Sequence, residues 1–144
     1  MIDINVLSNI LLVDDDDTSI FIQSHLLTNV CKYTGNIQTC YNGKEALDYI
    51  ESKGKFANTE NTPPRPNLIL LDINMPVMNG FEFLEAYGKL SKDLKGGVVI
   101  SMLTSSVNEE DRKKSQNFEE LSEFIIKPLT QEQLMGIVDK HFGK

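Results

Sequence analysis

The chain has 144 residues, the size of one ordinary globular domain, of which 40% are hydrophobic and 24% charged. Its formal net charge of −7 argues against nonspecific contact with nucleic acid or an anionic membrane, because both need clustered Lys and Arg. No apolar run approaches the length of a membrane span, and residues 1–9 lack the basic region of a secretory signal. Composition and charge therefore predict one cytoplasmic domain.

Short aliphatic segments alternate with longer amphipathic ones, which is typical of a parallel sheet covered by helices on both faces. Five strands are predicted, over residues 10–13, 36–40, 67–72, 97–103 and 123–126. Five helices are predicted with them, over residues 18–30, 42–54, 80–90, 108–116 and 130–142. Residues 1–8 form an N-terminal leader, and residues 54–66, with three prolines, are typical of a long exposed loop.

Capping signals mark the start of two of these helices. Asn42 can cap the second helix, and Glu45 follows it three residues later. Thr130 and Gln133 have the same spacing before the last helix. Both helix starts are therefore predicted from neighbouring residues alone.

Four consecutive aspartates, residues 14–17, follow the first aliphatic segment. Acidic residues favour the first turn of a helix, where the amide dipoles leave partial positive charge, and this accounts for one or two of the four. Neighbouring like charges repel, so the full run indicates a bound cation or a lysine from elsewhere in the fold.

Polar side chains stand where four of the predicted strands end. Asp14 and Asp15 follow the first strand, Asp72 ends the third, Thr104 follows the fourth and Lys127 follows the fifth. In an open parallel sheet, ligands bind at the carboxyl ends of the strands, near the point where the strand order reverses. We therefore expect these five groups to share one edge of the sheet.

Four segments in this order resemble the receiver domain of two-component response regulators, including the single-domain chemotaxis regulator. They are "LLVDD", "LLDINMPVMNG", "LTSS" and "IIKP", and the match covers almost the whole chain. The resemblance implies an α/β, flavodoxin-like (βα)5 fold, a doubly wound parallel sheet with strand order 2-1-3-4-5. It also implies that residues 1–144 form a single receiver domain without an effector domain.

The resemblance assigns a phosphoacceptor and a metal site. Asp72 is expected to accept the phosphoryl group. Asp72 is also expected to be a metal ligand. Asp15 is expected to bind the metal directly, Asp14 through water, and Asn74 through its main-chain carbonyl, while one of the next two aspartates caps the first helix. Oxygen ligands without nearby His or Cys favour Mg²⁺ or Mn²⁺.

Three further residues receive roles from the resemblance. Lys127 is expected to contact the phosphoryl oxygens, aimed by a cis bond to Pro128, and Thr104 to donate its hydroxyl to another oxygen. Thr104 and Phe124 are expected to switch conformation together on phosphorylation. Phe124 lacks the hydroxyl that many relatives carry there, so a simple core aromatic remains the alternative for this position.

The expected partners are a histidine kinase or histidine phosphotransfer protein and an unknown downstream protein. The fourth predicted helix, the fifth strand and the fifth helix (the α4-β5-α5 face of the family) are expected to form the output surface. The loop 54–66 could contact a kinase or a second subunit in a homodimer, and Asn74 and Ser106 occupy positions that tune water access. Apart from self-phosphorylation from small donors and autodephosphorylation, no enzyme activity is expected.

Other protein classes fit the sequence less well. A haloacid-dehalogenase-type phosphatase needs a second Asp two residues after its nucleophile, where this chain has Asn74. A flavodoxin needs a hydroxyl-rich phosphate loop after the first strand, where aspartates 14–17 would repel a phosphate. The alternative that remains is a receiver-like interaction module that works without phosphorylation.

Overall fold

Five parallel strands form one sheet in the order β2-β1-β3-β4-β5, which confirms the predicted fold. The computed structural model describes residues 3–56, 65–105 and 108–143. The strands are β1 (Asn9–Val13), β2 (Asn36–Cys40), β3 (Leu68–Asp72), β4 (Val99–Thr104) and β5 (Leu121–Ile126). The helices are α1 (Asp17–His25), α2 (Gly43–Glu51), α3 (Gly80–Gly88), α4 (Lys92–Lys95), α5 (Glu109–Ser115) and α6 (Gln131–Phe142).

The strand order reverses at β1, which pairs with β2 on one side and with β3 on the other. Ile10 lies opposite both Ile37 and Leu68. This reversal opens a crevice at the carboxyl edge of the sheet. The segment after Val13 and the end of β3 at Asp72 therefore meet at this crevice.

Alternate residues of each central strand enter two separate cores. Leu11 and Ile69 pack on the side covered by α2 and α3, whereas Leu12 and Leu70 pack on the side covered by α6 and the end of α1. All residues of β1 and β3 are buried. Burial on both faces explains why these strands are continuous apolar runs.

The predicted elements are confirmed, with shifted ends. The second strand has the predicted bounds, and the capping pair Thr130 and Gln133 forms a complete capping box for α6. The first helix ends as an α-helix at His25 and continues as a π-helical turn, Leu26–Val30. The sequence did not predict α4, because four residues are too few for a periodic pattern. The fourth and fifth predicted helices are accordingly α5 and α6.

The leader before β1 packs against the domain. Ile4 and Leu7 are each 1% exposed and belong to the core on the α6 side. The Asn5 side chain donates to the Lys32 carbonyl and accepts from the Thr34 amide. Ile4 and Leu7 therefore contribute to the hydrophobic core.

The predicted loop 54–66 lies only partly within the described residues. It begins with a 3-10 turn, Gly54–Phe56, in which the Phe56 ring packs edge-on against Tyr49 at 5.0 Å. Residues 57–64 lie outside the described residues. The chain then enters β3, at the edge of the sheet opposite the acidic side chains. No helix in the described ranges has the length and apolar character that spanning a bilayer requires.

Candidate functional site

The run of aspartates divides between the crevice and the first turn of α1. Asp14 is 1% exposed, and its Oδ1 accepts a hydrogen bond from the Asp16 amide at 3.0 Å. Asp16 caps α1 by accepting from the Thr18 amide at 3.2 Å, and it also accepts from the Ser19 hydroxyl at 3.1 Å. Asp16, one of the two residues predicted for this role, is therefore the cap.

Three carboxylates gather at the crevice. Oxygen atoms of Asp14, Asp15 and Asp72 all lie within 4.8 Å of one another. Burial, followed by the charge of Asp14, raises the pKa of Asp72 to about 6 even though Lys127 opposes the rise. Such a cluster of oxygen donors suits a hard divalent cation, whose charge would relieve the repulsion.

Lys127 contacts three side chains at this site. It follows β5, forms a cis peptide bond with Pro128, and donates its amide to the Thr104 carbonyl at 2.7 Å. Its ammonium lies 2.7 Å from Asp14 Oδ2, 3.3 Å from Asp72 Oδ1 and 3.1 Å from the Ser19 hydroxyl. Burial lowers the pKa of Lys127, but the hydrogen bond to Asp14 and the charges of both acids leave it above its ordinary value.

Thr104 and Phe124 occupy neighbouring strands. Thr104 ends β4 and is 1% exposed. Since Leu103 pairs with Asp72, Thr104 lies one residue beyond the acid. Phe124 is half-buried on β5, and the Arg112 guanidinium of α5 lies 5.4 Å from its ring centroid. The aromatic ring thus lies between the core and the surface of α5.

The loop after β3, residues 73–79, and the segment after β4 carry the remaining predicted site residues. Asn74 is exposed, two residues beyond Asp72. Ser106 lies outside the described residues. Gly80 closes the loop, since its amide donates to the Ile73 carbonyl at 2.8 Å, and a Cβ at this position would clash with the Asp72 main-chain oxygen. The glycine therefore lets the loop pack closely against the end of β3.

Two residues that sequence reasoning missed also belong to the site. Ser19 bridges Lys127 and Asp16, and the amide of Gln23 donates to Asp14 Oδ2 at 3.4 Å. They lie four residues apart on α1, so they share one face of the helix. The spacing of four residues between these two polar side chains on the predicted first helix was the available signal.

Comparisons with known proteins point to one protein family. The family model described as the response regulator receiver domain matches residues 10–139. Response regulator Rcp1 from Synechocystis is 37% identical over 103 residues, which cover 71% of this chain and 65% of Rcp1.

Two solved structures resemble the whole fold. The phosphorylated cyanobacterial phytochrome response regulator RcpA has 31% identity and a TM-score of 0.73, with 94% of each chain covered. The Mn²⁺-bound form of response regulator Rcp1 has 29% identity and a TM-score of 0.68, with 95% of each chain covered. The family match, the strand order and these structural similarities lead to one conclusion: the chain belongs to the response regulator receiver domain family.

Proposed function

We propose that this chain accepts a phosphoryl group on Asp72, in a Mg²⁺- or Mn²⁺-dependent reaction, from a histidine kinase or a histidine phosphotransfer protein. Receiver domains are phospho-accepting signalling domains that bind such cations at an acidic pocket and interact with phosphodonors and downstream targets. The observation that carries the proposal is the position of Asp72, in one crevice with two further carboxylates and the Lys127 ammonium.

The metal would be held by the carboxylates of Asp14, Asp15 and Asp72 and the main-chain carbonyl of Asn74. When bound, it would supply positive charge that neutralises phosphoryl oxygens. The solved structure of Rcp1 is a Mn²⁺-bound form, and the oxygen donors of this chain suit the same kind of ion.

Asp72 would act as the nucleophile. One of its carboxylate oxygens forms a bond to phosphorus while the bond from phosphorus to the donor imidazole nitrogen breaks, and the nitrogen keeps the electron pair. With a pKa of about 6, Asp72 is mostly ionised at neutral pH, as a nucleophile must be. Its burial also leaves the carboxylate with little hydration to lose before the attack.

Lys127 and Thr104 would stabilise the transferred group. Lys127 already reaches Asp72, so a small rotation brings one of its N–H groups to a phosphoryl oxygen. Thr104 lies on the neighbouring strand and would donate its hydroxyl to a second oxygen. These contacts form only when the phosphoryl group is present, which is the condition for a switch.

The output surface would be formed by α5, β5 and α6. Movement of Thr104 toward the phosphoryl group would vacate space into which Phe124 turns, away from Arg112. Taking a 1:99 mixture of conformations to 99:1 requires about 5.5 kcal/mol of differential binding. Two or three charge-assisted hydrogen bonds of about 1.5 to 3 kcal/mol each can supply it.

The test is intact-protein mass spectrometry after incubation with acetyl phosphate, with and without Mg²⁺. Wild type should gain one phosphoryl group only with Mg²⁺, and Asp72→Ala should gain none. Asp17→Asn is the matched control, because Asp17 is exposed and outside the cluster of three carboxylates, and it should react like wild type.

A wild type that forms no adduct and does not bind beryllofluoride would overturn the proposal. Partner binding that is unchanged by any phosphodonor and by Asp72→Ala would then favour the phosphorylation-independent interaction module.

A further inference from the structure

Gln23 hydrogen-bonds the same oxygen of Asp14 that Lys127 contacts. Its Nε2 lies 3.4 Å from Asp14 Oδ2, and the Lys127 ammonium lies 2.7 Å from that atom. A carboxylate can only accept hydrogen bonds, so the amide must turn its NH₂ group toward Asp14 and its carbonyl oxygen away. The orientation of the Gln23 side chain is thus set by Asp14.

The carbonyl oxygen of Gln23 is left in unfavourable surroundings. Gln23 is 5% exposed, and its Oε1 has no hydrogen-bond partner among the described residues. The Gln23 side chain borders a cavity of about 210 Å³ whose lining is mostly apolar, formed by Ile22, Leu103, Pro128 and Leu129 together with Ser19 and Lys127. A buried acceptor without a donor destabilises the fold.

The other side-chain donors that line this cavity, Ser19 and Lys127, are already engaged. The three N–H groups of Lys127 face Asp14, Asp72 and Ser19, and the Ser19 hydroxyl donates to Asp16. An apolar side chain at position 23 would avoid the unpaired oxygen and match the mostly apolar lining of the cavity. The carbonyl oxygen therefore destabilises the fold, and the contribution that the structure identifies for the amide is its donor to Asp14.

We propose that Gln23 is a positioning residue that, together with the Asp16 amide, holds the Asp14 carboxylate in place for the metal, and that it continues to hold it when Lys127 turns toward a phosphoryl group on Asp72. The inference rests on the proposed function. The Asp16 amide fixes Asp14 Oδ1, so loss of Lys127 would leave Oδ2 with Gln23 as its described donor. Two donors on different oxygens keep the carboxylate plane fixed, and with it the oxygen atoms available to a metal or its bound water.

The test compares wild type with Gln23→Met, which keeps the length of the side chain and removes the donor. Gln131→Met is the control, because Gln131 is exposed at the start of α6. Three quantities are to be compared. They are the Mn²⁺ affinity of the folded protein, the temperature of thermal unfolding without metal, and the Mg²⁺ dependence of phosphorylation by acetyl phosphate. Gln23→Leu repeats the measurements with a second apolar side chain in case the methionine packs poorly.

Gln23→Met should unfold at the same or a higher temperature than wild type yet bind Mn²⁺ about 10-fold more weakly, the lower end of the usual effect of losing a partner of a metal ligand. Its phosphorylation should need more Mg²⁺ while the rate at saturation changes less. A role in packing alone would lower the unfolding temperature and leave metal affinity unchanged.

Unchanged Mn²⁺ affinity in both Gln23 variants would overturn the inference, whatever happens to stability. A weaker Mn²⁺ affinity in the variants, combined with a wild type that accepts no phosphoryl group, would overturn the proposed function and leave the positioning of Asp14 supported. Equal loss of affinity in Gln131→Met would also count against a specific role for Gln23.

Discussion

The Lys127 ammonium lies 2.7 Å from Asp14 Oδ2, although 113 positions separate the two residues in sequence. It also lies 3.3 Å from Asp72, so one cation faces two buried acids. Removing it would leave both acids without a positive partner among the described residues, in a region that is poorly hydrated.

Lys127→Met should therefore lower the free energy of unfolding at pH 7 by about 3 kcal/mol or more in the absence of metal. Urea unfolding measures the change. Lys140→Met is the control, since Lys140 is mostly exposed in its pair with Glu123 and should cost less than about 1 kcal/mol. Equal effects of the two substitutions would contradict the idea that the Lys127 pair is buried and strong.

Asp72 should make stability depend on pH in a defined direction. Burial and the charge of Asp14 raise its pKa from 3.8 to about 6, so the ionised form is disfavoured in the folded protein. The stability associated with a protonated Asp72 is fully present below pH 3.8 and is lost as the pH rises through about 6. The rise in the pKa of Asp72 corresponds to a loss of about 3 kcal/mol in the free energy of unfolding at neutral pH.

Asp72→Asn should consequently be more stable than wild type at pH 7 by about 2 to 3 kcal/mol without metal, and this difference should shrink as the pH falls. Denaturant titrations at several pH values between 4 and 8, roughly the range of the transition, test it. A stability difference that stays constant across this range would mean that the surroundings of Asp72 do not disfavour its ionised form.

Adding Mn²⁺ should stabilise the wild type through the three carboxylates. At a concentration about 100 times the dissociation constant, the gain should be about 2.7 kcal/mol, measured by thermal or urea unfolding. Asp15→Asn should abolish most of this gain with little effect on stability without metal, because Asp15 is exposed. Asp17→Asn should keep the stabilisation by Mn²⁺. If this variant lost the stabilisation, the ion would bind at a site other than this cluster.

Gly80→Ala should destabilise the protein by about 1 to 3 kcal/mol, since the new Cβ would clash with the main-chain oxygen of Asp72. Gly136→Ala is a matched control inside α6. Apart from the backbone of the helix itself and the adjacent residues, no heavy atom of the described residues lies within 4 Å of the Cβ position there, so alanine should stabilise that helix by about 0.5 to 1 kcal/mol. Measured by chemical unfolding, the changes in the free energy of unfolding relative to wild type should therefore have opposite signs in the two variants.

The local sequence was enough to predict most elements of this fold. The apolar runs predicted β1 and β3, because strands buried on both faces need no polar alternation. Asn42 and Thr130 predicted helix starts, because a cap bonds to amides two or three residues away. The strand order came from the resemblance to receiver domains, since alternation of strands and helices is compatible with several orders.

The close environment of the acids depended on the tertiary structure. The sequence placed Asp14, Asp72 and Lys127 at one sheet edge, but no pattern of neighbours predicts that Lys127 bridges both acids or that Gln23 shares an oxygen of Asp14. Ile4 and Leu7 lie in the predicted leader, yet they are buried. Capping and strand formation depend on residues close in sequence, whereas these contacts arise only when helices pack across the sheet and bring distant residues together.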